Sequence, residues 1–274
     1  MRYHTILVHL QLGQPHAALL HLAARLADRF GAHIIGVAAS APLQALIAEG
    51  CGNGALVEDE IDELQREMAV AKAAFDAALG HRAHGVSWLA SSTCASIADF
   101  VAEAARGADL ILTDAAPGSG FDMQRQMQVS ELLLRAGRPV LIAPAPASPL
   151  LFMHALVAWD DGRECRRAIT DALPLLREAA RVSVVQVAPD CEHGVVSAQL
   201  DAVIAWLHAH GVGAQPLLLP PVGGPPLLGE IARHQACDLV VAGAYGHSRL
   251  REWAFGGVTR ALAAQQQVAV LLSH

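Results

Sequence analysis

A glycine-rich stretch between residues 243 and 259 combines the residue types that bind phosphate. An apolar run at residues 238–242 predicts a buried strand before it, and an Ala-rich run at residues 260–264 predicts a helix after it. Backbone N–H groups at the start of a helix carry partial positive charge, and glycines let a ligand approach them closely. The stretch therefore predicts a cradle for a phosphate-bearing ligand.

Lysine usage limits the chemistry that such a cradle could perform. Lys72 is the only lysine among the 19 basic residues, and it lies in a predicted solvated helix far from any glycine loop. A Walker-type phosphate-binding lysine is therefore excluded. The sequence also contains no Ser-His-Asp order and no motif with paired carboxylates, so we do not expect an efficient enzyme.

Composition excludes several classes of partner. The net charge of −7 and the absence of a Lys/Arg-rich run argue against a nucleic-acid or anionic-membrane surface. No apolar run reaches 18 residues, so no membrane span is predicted. Five widely spaced cysteines without a C-x-x-C pair indicate reduced thiols. We expect a cytoplasmic protein with no nucleic-acid and no membrane partner.

Fourteen histidines raise the question of a metal site. His81 with His84, and His208 with His210, form the two close pairs, but neither pair has a third ligand at a suitable spacing. We expect no metal site. Trp159 and Trp253 are interpreted as core or interface residues.

Apolar runs alternate with helical periodicity along the first half of the chain. Strands are predicted at residues 5–10, 33–38, 86–90, 109–113 and 139–143, with helices between them. Residues 40–57 interrupt the alternation and are interpreted as a flexible lid or loop. Since strands joined through helices form right-handed crossovers, a parallel α/β sheet is expected. The Pro-rich residues 144–149 predict a stiff linker.

The second half repeats the first. Val157 aligns with Val8 at an offset of 149 positions, and Asp238 aligns with Asp109 at an offset of 129. The difference places about 20 extra residues in the first half, which matches the irregular segment after residue 40. The sequence therefore predicts two repeated domains, at residues 1–145 and 150–274.

The glycine stretch carries a resemblance to a known family. Gly243-x-x-Gly246, then nine residues, then Gly256, with Val258 and Thr259 close behind, resembles the nucleotide-binding signature of the universal stress proteins. The resemblance covers the chain as a tandem pair of such domains. It implies, in each domain, an open twisted parallel five-stranded sheet flanked by helices, Rossmann-like and similar to the adenine nucleotide alpha hydrolases.

The resemblance implies an adenine nucleotide, ATP or another, with or without Mg²⁺, at the carboxyl edge of the sheet. Asp160 would face the adenine or ribose, and the backbone of Val187 would read the adenine edge. Gly243 and Gly246 would let the backbone approach ribose and phosphate. Asp160 can also be interpreted as a turn residue without a ligand, because Asp160, Asp161 and the glycine that follows them form a favourable turn sequence.

The resemblance assigns the phosphate oxygens to the end of the glycine stretch. The N–H groups of Gly256, Gly257 and Val258, with the hydroxyl of Thr259, would hold them. The family signature has Ser or Thr where this chain has Gly257, so a hydroxyl donor is lost, which could weaken phosphate binding by roughly 1.5–3 kcal/mol. His247 is interpreted either as a phosphate neighbour or as a loop cap in solvent.

The first half has lost the equivalent features. Side chains stand at the matching positions, which are Gln11, Asp114, Pro117, Met127 and Gln128. We therefore expect no nucleotide in residues 1–145, which would serve as a structural or partner-facing copy. Since this copy keeps the predicted strands without the glycines, the glycines of the second half are interpreted as serving a ligand and not the fold.

Two functions from different classes remain open. The first is a stress-response sensor or regulator that binds an adenine nucleotide in the C-terminal domain and at most hydrolyses it slowly. The alternative is a nucleotide-free scaffold for an unknown protein partner. The apolar strand at residues 268–272 needs a neighbour, so a homodimer or an internal pseudo-dimer is expected.

Overall fold

The structure is a computed structural model that describes most of the chain and divides it into two compact units. The described residues are 2–41, 54–82, 84–92, 94, 96–114, 122, 124–144, 152–189, 193–220, 228–244 and 268–274, with 54–57 and 193 described by their backbone alone. The first unit is Tyr3–Arg138, and the second is built on Pro139–His274.

The first unit is a parallel sheet with helices in the crossovers. Its strands are β1 (Thr5–His9), β2 (His33–Ala39), β3 (Val86–Ser91) and β4 (Leu110–Asp114). The order is β3-β2-β1-β4, and every pairing is parallel. Its described helices are α1 (Ala17–Phe30), α2 (Gly54–Leu79), α3 (Ile97–Ala104) and α4 (Val129–Ala136). Strand order reverses between β1 and β4, which is where ligands bind in such sheets.

The second unit repeats this arrangement with two additional strands. Its strands are β5 (Val140–Ala143), β6 (His154–Ala158), β7 (Arg181–Val187), β8 (Ala214–Leu219), β9 (Leu239–Gly243) and β10 (Ala269–Ser273). The order is β5-β10-β9-β6-β7-β8, parallel throughout except for the antiparallel pair of β5 and β10. Its described helices are α5 (Arg163–Leu176), α6 (His193–Ala209) and α7 (Leu228–His234).

Local chemistry explains where the elements stop and how closely they pack. Gly31 ends α1 in the left-handed conformation, with φ at 65°, which a residue without a Cβ adopts at little cost. Gly36 in β2 lies under the rings of Phe75 and Trp88, and a Cβ there would come within 2.6 Å of both rings. The two rings pack with their centroids 5.2 Å apart. This small residue thus lets α2 and β3 bury their aromatic side chains over the sheet.

The predicted fold class, parallel sheets flanked by helices in two tandem halves, is confirmed. The allotment of strands differs from the expected five in each half. The apolar strand β5, predicted as the last strand of the first domain, falls in the second unit and pairs with β10 through Leu141 and Leu271. This pairing supplies the neighbour that the apolar β10 was expected to need. The domain limits at residues 145 and 150 stay a prediction.

Within the described part of the chain, no helix has the length and apolarity needed to cross a membrane. The cysteines that the structure describes, Cys94, Cys165 and Cys237, are free thiols. Cys51 and Cys191 lie outside the described residues.

Candidate functional site

The candidate site is the carboxyl edge of the sheet in the second unit, where strand order reverses between β6 and β9. Asp160 follows the end of β6, Val187 ends β7 and Gly243 ends β9. These three strands are neighbours in the order β9-β6-β7. The structure therefore brings three of the predicted site residues to one edge, at the position where open α/β sheets bind ligands.

Asp160 organises the turn that starts α5. Its Oδ1 accepts a hydrogen bond from the backbone N–H of Gly162 at 2.9 Å and from the thiol of Cys165 at 2.8 Å. Asp161, between them, has a left-handed backbone with φ at 59°. The carboxylate side chain is half-buried. The turn interpretation thus describes the observed geometry, and contact with a ligand stays a prediction.

Gly243 is required for the close approach of β9 and α5. A Cβ at Gly243 would lie 2.6 Å from the backbone nitrogen of Cys165 and 2.8 Å from the Cβ of Glu164. Backbone atoms cannot move aside as a flexible side chain could. The sequence comparison assigned this glycine to a ligand and missed its packing requirement, because the contact joins segments almost 80 residues apart.

Glu164 is a charged residue at this edge that the sequence reasoning did not single out. It lies in the first turn of α5, its side chain is 5% exposed, and it pairs with the exposed Arg163. Burial by itself raises the pKa of Glu164, but hydrogen bonds from Arg163 and the backbone, with the charges of Arg163 and His274, lower the pKa below its ordinary value. The start of α5 therefore holds an ionised carboxylate beside Gly243.

The remaining predicted site residues are not described. Gly246, His247, Gly256, Gly257, Val258 and Thr259 lie outside the described residues, so their roles stay predictions.

The two described thiols of the second unit, Cys165 and Cys237, are poor nucleophiles. Burial raises the pKa of Cys165 to about 12, and the neighbouring Asp160 carboxylate adds to the shift. Burial also raises the pKa of Cys237 to about 12, a shift that Arg181 reduces and Asp238 increases. Since the thiolate is the reactive form, neither thiol is suited to covalent chemistry near neutral pH.

No group of three or more His, Cys, Asp or Glu side chains is placed to hold a metal ion within the part of the chain that the structure describes. Mg²⁺ bound with a nucleotide is ordinarily held through the phosphates and one or two carboxylates.

The equivalent edge of the first unit is filled by side chains. Gln11 is fully buried and donates from Nε2 to the backbone oxygen of Asp114 at 3.2 Å, which joins the ends of β1 and β4. Burial raises the pKa of Asp114 to about 7. His9 lies next to them, with Nδ1 3.1 Å from the hydroxyl of Thr113. These contacts support the expectation that the first half binds no nucleotide, which stays a prediction.

Comparison with known proteins gives matches in structure only. No family model matches the sequence, and no curated protein matches it. A universal stress protein from Archaeoglobus fulgidus DSM 4304 matches with a TM-score of 0.69 at 13% identity, covering 98% of this chain and 97% of that chain. A protein of unknown function from Pseudomonas aeruginosa PAO1 matches with a TM-score of 0.61 at 18% identity, covering 99% of this chain and 92% of that chain. The chain therefore has the fold of the universal stress proteins along its whole length.

Proposed function

We propose that the protein is a stress-response sensor or regulator that binds an adenine nucleotide, ATP or another, in its second unit. The observation that carries the proposal is the convergence of Asp160, Val187 and Gly243 at the strand-order reversal of a universal stress protein fold. The suggestion of a role in a stress response is taken from the similar structure from Archaeoglobus fulgidus, which is described as a universal stress protein.

The backbone of Val187 supports recognition of the base. Along a strand, the backbone groups of successive residues face opposite neighbours. The backbone N–H of Trp159 donates to the backbone oxygen of Val185 at 2.8 Å, whereas the backbone N–H of Ala188 donates to the backbone oxygen of Leu219 in β8. Val187 therefore directs its N–H and C=O toward the β6 side, beyond Ala158, the last residue of β6 that pairs with β7. A donor and an acceptor so placed match the hydrogen-bonding edge of adenine.

Asp160 supports recognition of the ribose. A carboxylate oxygen accepts hydrogen bonds, and ribose offers two adjacent hydroxyl donors. Phosphate is a poorer neighbour for this edge, because the carboxylate of Glu164, which pairs with Arg163, lies buried beside Gly243. We infer that the nucleoside part supplies most of the affinity, and that the phosphates depend on the N–H groups of residues 256–258.

The test is a thermal shift of the purified protein with ATP, ADP and AMP, because a ligand that binds only the native state raises the melting temperature. Asp160→Asn keeps an oxygen for the Gly162 turn and removes the negative charge, so it should reduce the nucleotide shift at little cost in folding. Gly246→Val should abolish the shift. Asp114→Asn, the same substitution at the equivalent edge of the first unit, should leave the shift intact.

The result also decides between the two functions. The lost hydroxyl at Gly257 and the buried carboxylate of Glu164 favour the second candidate, a nucleotide-free scaffold for a protein partner. No shift at millimolar ATP, ADP or AMP would contradict nucleotide binding and leave the scaffold. Equal shifts in the wild type and Gly246→Val would place the nucleotide somewhere else.

We further propose a cytoplasmic location, which the free thiols of the described cysteines support. A homodimer that pairs through this edge of β10 is disfavoured, since β5 of the same chain already occupies it.

A further inference from the structure

The first unit has a free strand edge at β3. β3 pairs with β2 on one side, and the described residues place no strand on its other side. The backbone oxygen of Gly85 accepts from Ile34 at 3.3 Å, and that of Ser91 accepts from Ser40 at 2.9 Å, both on the β2 side. Because backbone groups alternate in direction along a strand, every second residue of β3 faces away from β2. The residues whose N–H and C=O groups form this free edge are Val86, Trp88 and Ala90.

β3 lacks the features that ordinarily protect such an edge. Charged residues, proline or a bulge usually keep an edge strand from pairing with another chain. The sequence of β3 contains no charged residue and no proline, and its ladder with β2 runs without a bulge. Leu89 is 43% exposed on it. Lys72, whose ammonium lies 5.9 Å from the centre of the Trp88 ring, pairs with Asp76 at 2.6 Å and does not present a bare charge. The edge is therefore open to a further strand.

The equivalent edge of the second unit is blocked by a proline. In β8, the backbone oxygen of Leu219 accepts from Ala188 on the β7 side at 3.1 Å, so Pro216 faces away from β7. Pro216 and Trp88 hold the same place, because each belongs to the third residue pair of its ladder. Proline has no N–H and cannot donate to a neighbouring strand. The second unit thus protects this edge, whereas the first unit keeps it able to pair.

The free edge of β3 is complementary to a second copy of itself. In an antiparallel pair, residues that lie opposite each other in a hydrogen-bonded position exchange both of their N–H···O=C bonds. A two-fold axis at Trp88 places Trp88 opposite its own copy, and Val86 opposite Ala90 of the copy. Every outward N–H and C=O of β3 then has a partner. An axis at Ser87 would leave Ala90 unpaired, and an axis at Leu89 would leave Val86 unpaired.

The same arrangement covers the exposed side chain of Leu89. Since side chains alternate between the two faces of a strand, Leu89 and Ser87 share the face opposite to Trp88. About an axis at Trp88, Leu89 lies opposite Ser87 of the copy in a non-hydrogen-bonded pair, where side chains approach most closely. Removal of this apolar surface from water adds to the backbone pairing.

We propose that β3 pairs with β3 of a second copy of this chain, antiparallel and centred on Trp88, so that the protein forms a homodimer through its first unit. This interface uses neither β10 nor the residues of the nucleotide site proposed above, and it does not depend on nucleotide binding. It gives the first unit a role as the partner-facing copy.

Sedimentation velocity of the full chain without nucleotide measures the dimer directly. The wild type should convert reversibly from monomer to dimer as its concentration rises from micromolar to millimolar. Ala90→Pro removes an outward N–H on each side of the axis and should raise the Kd of the dimer at least about tenfold. Ala90→Val is the matched control, because it keeps the N–H and should leave the Kd within about twofold of the wild type.

A second variant tests the side chains of the interface and decides the matter if circular dichroism shows that Ala90→Pro does not fold. Leu89→Lys places a charge from each copy near the axis and removes apolar surface, so it should also raise the Kd at least about tenfold. Val195→Lys makes the same change at a residue of α6 that is 68% exposed, and it should leave the dimer unchanged.

A disulfide trap tests the register of the pair. Ser87→Cys and Leu89→Cys in one chain should give an oxidised dimer in which mass spectrometry finds position 87 of one copy linked to position 89 of the other. Opposite residues of a non-hydrogen-bonded pair have their Cα atoms about 4.5 Å apart, which a disulfide can bridge. A wild type that stays monomeric up to millimolar concentration would overturn the proposal. So would a dimer that folded Ala90→Pro or Leu89→Lys leaves unchanged, or one whose oxidised double variant lacks the link between 87 and 89.

Discussion

The two matching sheet edges use their polar residues and glycines in different ways. Asp160 and Gly243 are both used by the fold, the first in the turn that starts α5 and the second in the contact between β9 and α5. In the first unit, Gln11 and Asp114 join the ends of the two central strands directly. The same topology thus leaves one edge with a carboxylate at its turn and the other with a buried polar cluster.

Gly243→Ala is expected to destabilise the protein in the absence of any nucleotide. The added Cβ would lie 2.6 Å from the backbone of Cys165, and overpacking of this kind costs about 1–3 kcal/mol. Urea unfolding measures the change. Gly107→Ala is the matched control, because a Cβ there has nothing within 4 Å. If both variants were as stable as the wild type, the packing explanation of Gly243 would be wrong.

Asp114→Asn is expected to stabilise the protein at alkaline pH. Burial raises the pKa of Asp114 from 3.8 unfolded to about 7 folded, so the folded state holds a proton that the unfolded state has released. Its contribution to stability therefore falls as pH rises between these values and stays lost above pH 7. Because a difference of one pKa unit corresponds to about 1.4 kcal/mol, the free energy of unfolding of the variant should exceed that of the wild type by about 4 kcal/mol at pH 8, and by much less at pH 4.

Urea unfolding at both pH values measures this difference. His9 has the opposite effect. Burial, and to a smaller extent the charge of His16, lowers the pKa of His9 to about 3, so its contribution to stability is lost as pH falls below 6.5. That loss is common to both proteins and cancels in the comparison. A difference between variant and wild type that does not change with pH would contradict the assignment to Asp114.

At the scale of elements, local sequence predicts strands and helices but not every pairing. The alternation of apolar runs with helical periodicity placed β1, β2, β4 and β9 correctly. The alignment of Val157 with Val8 then placed β6, and with it the position of Asp160 after the end of that strand. The choice of β10 as the neighbour of β5 depends on two apolar edges about 130 residues apart, and no local pattern encodes it. The packing of Gly243 on Glu164 and Cys165 was missed for the same reason.

The pairing of β5 with β10 predicts which fragment of the second unit is stable by itself. A fragment of residues 139–274 keeps β5 and should be more stable than a fragment of residues 150–274, which exposes one edge of β10. Urea unfolding of the two fragments, with their oligomeric states checked by light scattering, measures the difference. Equal stability would indicate that β5 adds nothing to the second unit.

At the scale of the whole molecule, the fold matches that of the universal stress proteins along nearly the full chain. The match to the universal stress protein from Archaeoglobus fulgidus spans nearly all of both chains, yet only 13% of the residues are identical. Sheets of this kind bind different ligands at the same edge, so the fold alone does not identify the ligand. The ligand depends on the residues at that edge, and these differ between the two units.

One adenine nucleotide per chain is expected to bind, in the second unit. Equilibrium dialysis of the full chain against ATP measures the number of sites directly. The expected result is saturation at one nucleotide per chain, unchanged in Asp114→Asn and lost in Gly246→Val. Saturation at two per chain would contradict the assignment of the first unit as a copy without nucleotide, and no binding at millimolar ATP would contradict the nucleotide site itself.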